Sequence, residues 1–402
     1  MKILVISQYF WPENFRINDV CLGLKERGHD VTVLTGKPNY PHGNYFEGYS
    51  WNTKSEEMWE GIPIHRSNLF LRSHGGGLRL FLNYFSFAFF ASVKVLSLRG
   101  PFDQIFIFAP SPITVGIPGI VAKYRFKAPN FLWVQDLWPE SIRIAGGIEN
   151  KFILGVMEFM TKWIYQHTSK LLIQSPRFKD YLLGQQVPEH KITYYPFYAE
   201  GFYSQTNIEI DHSIDIPEGF KLVFAGNIGE AQCFDTLIQA AHMLKNKGIP
   251  ITWLILGDGR QKEYVKSKIA ELSLEDSFLL LGSFSANKMP YFFSKADALV
   301  VSLKKSDIFS MTIPSKIQSY LACGRPLIGS LDGIGHEIIQ ASKSGFSARA
   351  EDPEGLAEAI LKLYHLSAEE KDELGRNGRR YFESEFEREL LLTKLEQILQ
   401  NA

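Results

Sequence analysis

The sequence predicts an α/β chain built as two doubly wound, mainly parallel sheets. Three observations lead there. Its 402 residues exceed what one ordinary core fills. Two series of short apolar runs, one from residue 2 and one from residue 222, end in polar or glycine turns that open helical patterns, as βαβ units do. Between them, residues 198–217 are polar and without period, as a linker would be. The expected organisation is a domain over 1–200, a linker over 201–218, a second domain over 219–378 and a C-terminal helix over 379–402.

Composition narrows the function class. Apolar residues at 45% and charged residues at 22% describe a globular chain without disorder or collagen-like repetition. Residues 1–200 hold 21 Lys and Arg against 16 Asp and Glu, a net of +5, and the remainder carries −6. Five extra charges do not argue for nucleic acid; they permit a mildly basic half near an anionic membrane. Cys21, Cys233 and Cys323 lie far apart with no Cys-x-x-Cys spacing, so neither a disulfide framework nor a zinc site is expected, and a cytoplasmic setting fits. The first apolar run has a strand's length and is too short for a signal peptide.

In chain order, residues 2–7 read as a buried parallel strand. The loop Q-Y-F-W-P-E-N follows, then a helix carrying Val20, Leu22 and Leu24 to the turn at Arg27-Gly28-His29, then a strand over 30–34. This opening lacks Gly-x-Gly-x-x-Gly, which counts against a dinucleotide-binding dehydrogenase. Trp11, Pro12, Glu13, Asn14 and Arg16 instead stand at the first strand's carboxyl end, where open α/β sheets bind ligands. Residues 35–65 read as a long aromatic loop rich in turn residues.

Residues 78–98 are the most apolar segment and about long enough to span a bilayer. Arg79, Asn83 and Lys94 interrupt it and a strand follows at 104–108, so it reads as a helix buried within the domain. Its apolar residues go nearly all round, which leaves a membrane-docking face as the competing reading. Arg66, Arg72, Arg79, Arg99 and the run Lys123–Lys127 would then contact lipid phosphates. A strand over 131–134 delivers Gln135 and Asp136 to its carboxyl end; a carboxylate there serves as base, hydroxyl ligand or helix cap. Strands at 171–175 and 191–195 close the first series.

The second series begins with a strand at 222–225 and the turn Gly226-Asn227-Ile228-Gly229, followed by a helix over 235–245. A strand at 253–256 runs into Gly257-Asp258-Gly259, one at 278–281 into Gly282-Ser283-Phe284, and one at 298–302 leads to Thr312–Ser330. In that stretch Pro314 suits the start of a helix, Ser315 its cap, and Lys316 adds a point charge to the free amides. That makes a seat for phosphate, with an ordinary capped helix as the plainer reading. A segment around Glu337, a helix over 353–366 and a charged amphipathic helix over 378–400 end the chain.

Seven pieces then fall in a specific order: F-W-P-E-N with R-G-H-D-V, V-Q-D-L-W-P-E-S, F-A-G-N-I-G, L-I-L-G-D-G, L-L-L-G-S-F, L-A-C-G-R-P-L-I-G-S and the Glu337 segment. Over nearly the whole chain this resembles the family 4 retaining glycosyltransferases of glycosyltransferase-B architecture. The flavour is that of bacterial O-antigen and capsule enzymes, N-acetyl-L-fucosamine transferases among them. The resemblance implies two Rossmann-like domains facing across a cleft, with the last helix crossing back to the first. It implies a hexosyltransferase that moves a sugar from a nucleotide-sugar donor, UDP-linked by preference, to an undecaprenyl-diphosphate-linked saccharide. It further implies no metal or other cofactor, no nucleic acid, and a cytoplasmic enzyme in peripheral contact with the inner face of the membrane.

Carried onto this sequence, the resemblance makes Asp136, Lys316 and Asn14 catalytic. Trp11, Asn14, Arg16 and Asp136 would bind acceptor. Gly226, Asn227, Gln232, Ser315 and Lys316 would cradle the donor diphosphate, Gly282, Ser283 and Phe284 would contact the base, and Ser319 and Glu337 would face the donor. The chain departs from the family at four charged positions. The paired glutamates fall on Met311 and Ser319, and the Arg and Lys of the phosphate clamp on Asn227 and Gln232. Lys316 and a helix N-terminus remain, with Arg16 or Arg325 as auxiliaries. Two other readings share the architecture: a non-hydrolysing nucleotide-sugar 2-epimerase, which needs paired carboxylates, and a nucleotide-sugar-binding subunit without turnover.

Overall fold

The structure, a computed structural model, describes residues 1–72, 77–146, 150–204 and 216–401. Of the expected linker, residues 205–215 lie outside the described residues. The chain divides into two compact units, Met1–Tyr195 with Leu392–Ala402, and Pro196–Leu391.

The N-terminal unit is one sheet of β1 (Lys2–Ser7), β2 (Asp30–Gly36), β3 (Glu56–Trp59), β4 (Ile62–Ser67), β5 (Gln104–Ala109), β6 (Asn130–Val134), β7 (Lys170–Ile173) and β8 (Ile192–Tyr194). The order is β3-β4-β2-β1-β5-β6-β7-β8, parallel except for the antiparallel β3. β5 and β6 are buried at every residue, as the continuous apolar runs of a two-sided parallel sheet require. The chain starts in the middle of the sheet and reverses direction, so β1 and β5 are neighbours and the crevice beyond their carboxyl ends is the topological switch point.

The helices of this unit are α1 (Arg16–Glu26), α2 (Gly77–Ser97), α3 (Gly116–Phe126), α4 (Glu140–Gly146), α5 (Lys151–His167) and α6 (Arg177–Gly184). Helix α1 buries Ile17, Val20, Cys21 and Leu24 at the spacing of one helical face. Helix α3 packs so closely on the sheet that a Cβ at Gly119 would lie 2.1 Å from Ile107, and one at Gly116 2.5 Å from Ile164 of α5.

The C-terminal unit holds β9 (Phe220–Ala225), β10 (Ile251–Leu256), β11 (Phe278–Gly282), β12 (Ala298–Ser302), β13 (Leu327–Ser330) and β14 (Gly345–Ala348). Their order, β11-β10-β9-β12-β13-β14, is that of the dinucleotide-binding sheet, all parallel, with the switch point between β9 and β12. Its helices are α7 (Phe234–Asn246), α8 (Lys262–Glu271), α9 (Met289–Ser294), α10 (Asp307–Met311), α11 (Ser315–Ala322), α12 (Ile334–Ala341), α13 (Pro353–Tyr364) and α14 (Ala368–Glu385). A last helix, α15 (Arg388–Gln400), runs into the N-terminal unit. There Glu396 pairs with Arg27 and His29 at 2.6 and 2.7 Å, and Gln104 donates to the Leu399 carbonyl.

Four sequence expectations change. The turn-rich stretch 35–65 contains β3 and the first four residues of β4, whose short mixed sequences carry no continuous apolar run. The expected terminal helix is two helices, broken at the buried Phe386, while α14 begins ten residues earlier behind a capping box of Ser367 and Glu370. The helix over 78–98 is not enclosed: its outward residues Leu78, Phe81, Leu82, Phe89, Val93 and Leu96 are exposed. Ser315 does not cap α11; Pro314 occupies that position and Ser315 is the exposed first helical residue.

Candidate functional site

The C-terminal unit builds its site at the switch point from three loops joined backbone to backbone. Gly226 N donates to Leu256 O, Ile228 N to Asp258 O and Gly257 N to Gly282 O, at 2.8, 2.8 and 2.7 Å. The approach admits only glycine at two positions. Gly226 has φ +141° and Gly257 φ +143°, and a Cβ on Gly257 would fall 1.9 Å from the Gly226 carbonyl oxygen. The sequence turns Gly226–Gly229, Gly257–Gly259 and Gly282–Phe284 thus form one continuous ledge.

Lys316, in the first turn of α11, lies on that ledge. A Cβ on Gly226 would meet its Cε at 2.5 Å. Its Nζ donates to Gln232 Oε1 at 2.5 Å and stands 3.8 Å from the centroid of the Phe224 ring. Among the described residues no carboxylate pairs with it, and burial pushes its pKa down to about 7. The helix behind it is anchored by Tyr320, whose hydroxyl accepts from Ala225 N at 2.9 Å at the end of β9. A half-buried cation beside free helix amides and a glycine turn can seat an anion that brings its own charge.

The remaining donor-side expectations divide. Gly226 and Gln232 both contact Lys316, and Asn227 lies exposed in the same turn as Gly226. Ser283 is exposed and Phe284 packs on Phe292 at 4.7 Å, at the end of β11. Ser319 is buried one turn into α11, and Glu337 is exposed in the first turn of α12. Arg325 packs in its turn, donating to the Ser294 carbonyl.

In the N-terminal unit the carboxyl ends of the central strands carry the polar groups. Asp136, two residues past β6, is half-buried and has no hydrogen-bond or ion-pair partner among the described residues. Burial raises its pKa to about 7. Tyr84 and Tyr165 lie close enough to interact with it electrostatically, and Tyr84 stacks edge-on to Trp138 at 6.2 Å. Gln135 is 5% exposed, and both its amide oxygen and nitrogen lack partners among the described residues. Within the same residues, Gln8 after β1 and Gln174 after β7 each leave one buried amide oxygen open. Buried amides without partners and aromatic walls suit a hydroxyl-rich ligand.

Of the first-loop residues, Asn14 is exposed and Arg16 opens α1 half-buried. Trp11 stacks on Trp59 at 6.1 Å. Glu13 does not face a ligand. Its carboxylate accepts from Phe10, Asn39 and Tyr40 backbone amides at 3.2, 2.8 and 2.7 Å, tying the first loop to the one after β2. Desolvation still carries its pKa to about 7 against those bonds. Phe224, Tyr320, Tyr84 and the glutamines after β1 and β7 went unread in the sequence; only the repeated placing of Gln after an apolar strand could have flagged the last two. Among the described residues, no three His, Cys, Asp or Glu side chains converge as metal ligands.

Comparison with known proteins fits this geometry. Residues 14–197 match the Glycosyl transferase 4-like domain, and residues 207–381 match Glycosyl transferases group 1. WcaI of Escherichia coli (strain K12), a glycosyl transferase assigned to colanic acid biosynthesis, is 24% identical over 81% of this chain and 82% of its own length. AmsK of Erwinia amylovora, an amylovoran biosynthesis glycosyltransferase, is 25% identical over 48% of this chain and 47% of its own. Among solved structures, sucrose-phosphate synthase of Thermosynechococcus elongatus superposes with a TM-score of 0.76 at 15% identity, covering 100% of this chain and 98% of that one. HepE of Anabaena, in complex with UDP, superposes with a TM-score of 0.71 at 13% identity over 100% of both chains.

Proposed function

The chain is a glycosyltransferase of the glycosyltransferase-B fold, and from that premise we propose that it moves a sugar from a nucleoside-diphosphate sugar to a lipid-diphosphate-linked saccharide during bacterial polysaccharide synthesis. The observation that carries the donor side is Lys316: a half-buried ammonium with no counter-charge among the described residues, resting on a glycine ledge at the switch point. A diphosphate supplies the missing charge. UDP is the favoured nucleotide, since HepE was solved with it and with UDP-glucose. The biosynthetic setting follows WcaI and AmsK, assigned to colanic acid and amylovoran. A cytoplasmic site suits such donors and three unpaired cysteines.

The proposed chemistry is retaining. The acceptor hydroxyl, held by Asp136, attacks the anomeric carbon on the face from which the diphosphate departs. The new C–O bond forms as the bond to phosphate breaks, and a phosphate oxygen takes the hydroxyl proton. Lys316 and the α11 amides stabilise the charge that grows on that oxygen, the effect that usually contributes most to catalysis of this kind. With the family's paired glutamates and Arg/Lys clamp replaced by Met311, Ser319, Asn227 and Gln232, the cationic contribution rests on Lys316.

The test is transfer from a panel of UDP-, GDP- and dTDP-sugars, UDP-N-acetylated 6-deoxy-amino sugars included, to a polyprenyl-diphosphate saccharide, with the product's anomeric configuration read by NMR. Transfer with retention supports the proposal. An inverted product removes the front-face mechanism, and a C2-epimerised donor without transfer removes the proposal.

A further inference from the structure

The last strand of the C-terminal sheet, β14, pairs only with β13 among the described residues, so its outer edge is free. Leu327 N donates to Ser344 O and Leu331 N to Ala348 O, at 2.9 and 3.2 Å. Bonding sides alternate along a parallel strand, so residues 344, 346 and 348 serve β13. The N–H and C=O groups of Gly345 and Ser347 point outward. Free edges are usually blunted by proline, a bulge or an inward charge. The opposite edge of this sheet follows that rule, for the ladder to β11 shifts register between Ile255 and Leu256. β14, G-F-S-A, keeps an even ladder and carries none of these devices.

That edge lies at the foot of a groove of about 320 Å³ between α12 and α13. Ser347 turns to α12, where its hydroxyl bonds His336 Nδ1 at 2.9 Å. Phe346 turns to α13, where the Lys362 ammonium stands 4.3 Å from its ring centroid. The α13 wall is Gly355, Glu358, Ala359 and Lys362, one stripe at helical spacing. Glu358 and Lys362 are exposed and one turn apart, and neither has an ion-pair partner among the described residues.

This surface is complementary to itself. A two-fold axis at Phe346 sets Gly345 opposite Ser347 of a second copy, and the two exchange both backbone bonds, twice over by symmetry. Gly355 is level with Ala348, since a Cβ on it would stand 3.3 Å from the Ala348 Cβ. The strand rises about 3.3 Å per residue and the returning helix about 1.5 Å. The axis therefore passes α13 near residue 360, midway between Glu358 and Lys362. Strands stand about 4.8 Å apart and packed helices about 8–10 Å, so α13, which packs on β13 and β14, meets its copy across the axis. The two helices run antiparallel, and Glu358 of each faces Lys362 of the other over the small Gly355 and Ala359. An unrelated partner would require no such symmetry.

We propose that the C-terminal unit dimerises through β14, which pairs antiparallel with the same strand of a second copy and joins two six-stranded sheets into one. Reciprocal Glu358–Lys362 pairs clasp the joint. The donor ledge follows β9, β10 and β11, with β12 and β13 between it and this edge, so pairing leaves it open. Dimerisation does not depend on which sugar moves.

Sedimentation equilibrium of the full chain over a range of concentrations tests it, with hydrogen exchange at β14 read alongside. The wild type dimerises, and exchange at Gly345 and Ser347 slows as it does. Ser347→Pro removes an outward N–H that the fold does not use and leaves a folded monomer. Glu358→Lys alone, or Lys362→Glu alone, sets like charges together twice per dimer and weakens association by about tenfold. The two combined restore it, a rescue that a merely damaged fold would not show. A wild type that stays monomeric overturns the proposal, including one whose β14 amides are already protected by another segment of the same chain. So does a dimer that Ser347→Pro leaves intact, or a double reversal that associates no better than either single one.

Discussion

Lys316 lies across Gly226: a single methyl group added at residue 226 would stand 2.5 Å from the lysine Cε. The glycine turn after β9 and the first turn of α11, 90 residues apart in sequence, are therefore one device. The turn's backbone adopts φ +141° without a Cβ, and the half-buried lysine occupies the space this leaves.

Gly226→Ala tests that dependence. The substitution adds strain at a positive φ and displaces Lys316, so a destabilisation of about 1–3 kcal/mol is expected. Donor affinity should fall with it. The measurement is denaturant unfolding beside nucleotide titration; unchanged affinity in a folded variant would separate the turn from the lysine.

The depressed pKa of Lys316 sets a pH dependence for donor binding. Free, the group titrates near 7 because burial disfavours its charge. A bound diphosphate favours the charge and raises that value. Below about pH 7 the ammonium is already present; above it, binding must take a proton from solvent. Affinity then falls by up to about tenfold per pH unit on the alkaline side. Calorimetry in buffers of different ionisation enthalpy reads the proton uptake, which Lys316→Met removes.

Asp136 predicts the opposite limb on the acceptor side. Its carboxyl titrates near 7 in the folded chain, above its ordinary value, because it is buried. If the carboxylate orients the acceptor hydroxyl, kcat/KM for acceptor declines as pH falls below about 7. Asp136→Asn should flatten that limb and cut transfer by about a hundredfold or more while leaving UDP affinity unchanged. The same shift bears on stability. Between its unfolded pKa near 4 and its folded value near 7 the native state holds more protons, so Asp136 favours folding at low pH and that contribution is lost as pH rises through 7. Loss of donor binding in Asp136→Asn would contradict an acceptor-side role.

Much of this was legible in the sequence, and for a physical reason. Strands such as β5, β6 and β10, buried on both faces, read as continuous apolar runs. The glycines after β9 and β10 read as turns because close backbone approach demands them. The edge strand β3 and its neighbour β4 were missed because short E-E-M-W and I-P-I-H-R-S carry no continuous apolar run. Glu13 looked like a ligand group because a carboxylate between Pro and Asn at a strand end usually faces solvent. That three backbone amides from two loops converge on it is a tertiary fact. The surplus apolarity of α2 was visible, but which side stays bare depends on where α3 and the sheet lie.

In the proposed reaction Lys316 is the cation that seats the donor diphosphate. Isothermal titration of wild type and Lys316→Met with UDP and with uridine tests it most directly. UDP affinity is expected to drop about a hundredfold or more in the variant while uridine affinity is unchanged, a difference set by the lost charge on phosphate. The variant's folded state should also be at least about 1 kcal/mol more stable near pH 7, because a half-buried ammonium without a counter-charge among the described residues is gone. Equal UDP affinity in the two proteins, or a parallel loss for UDP and uridine, would contradict it.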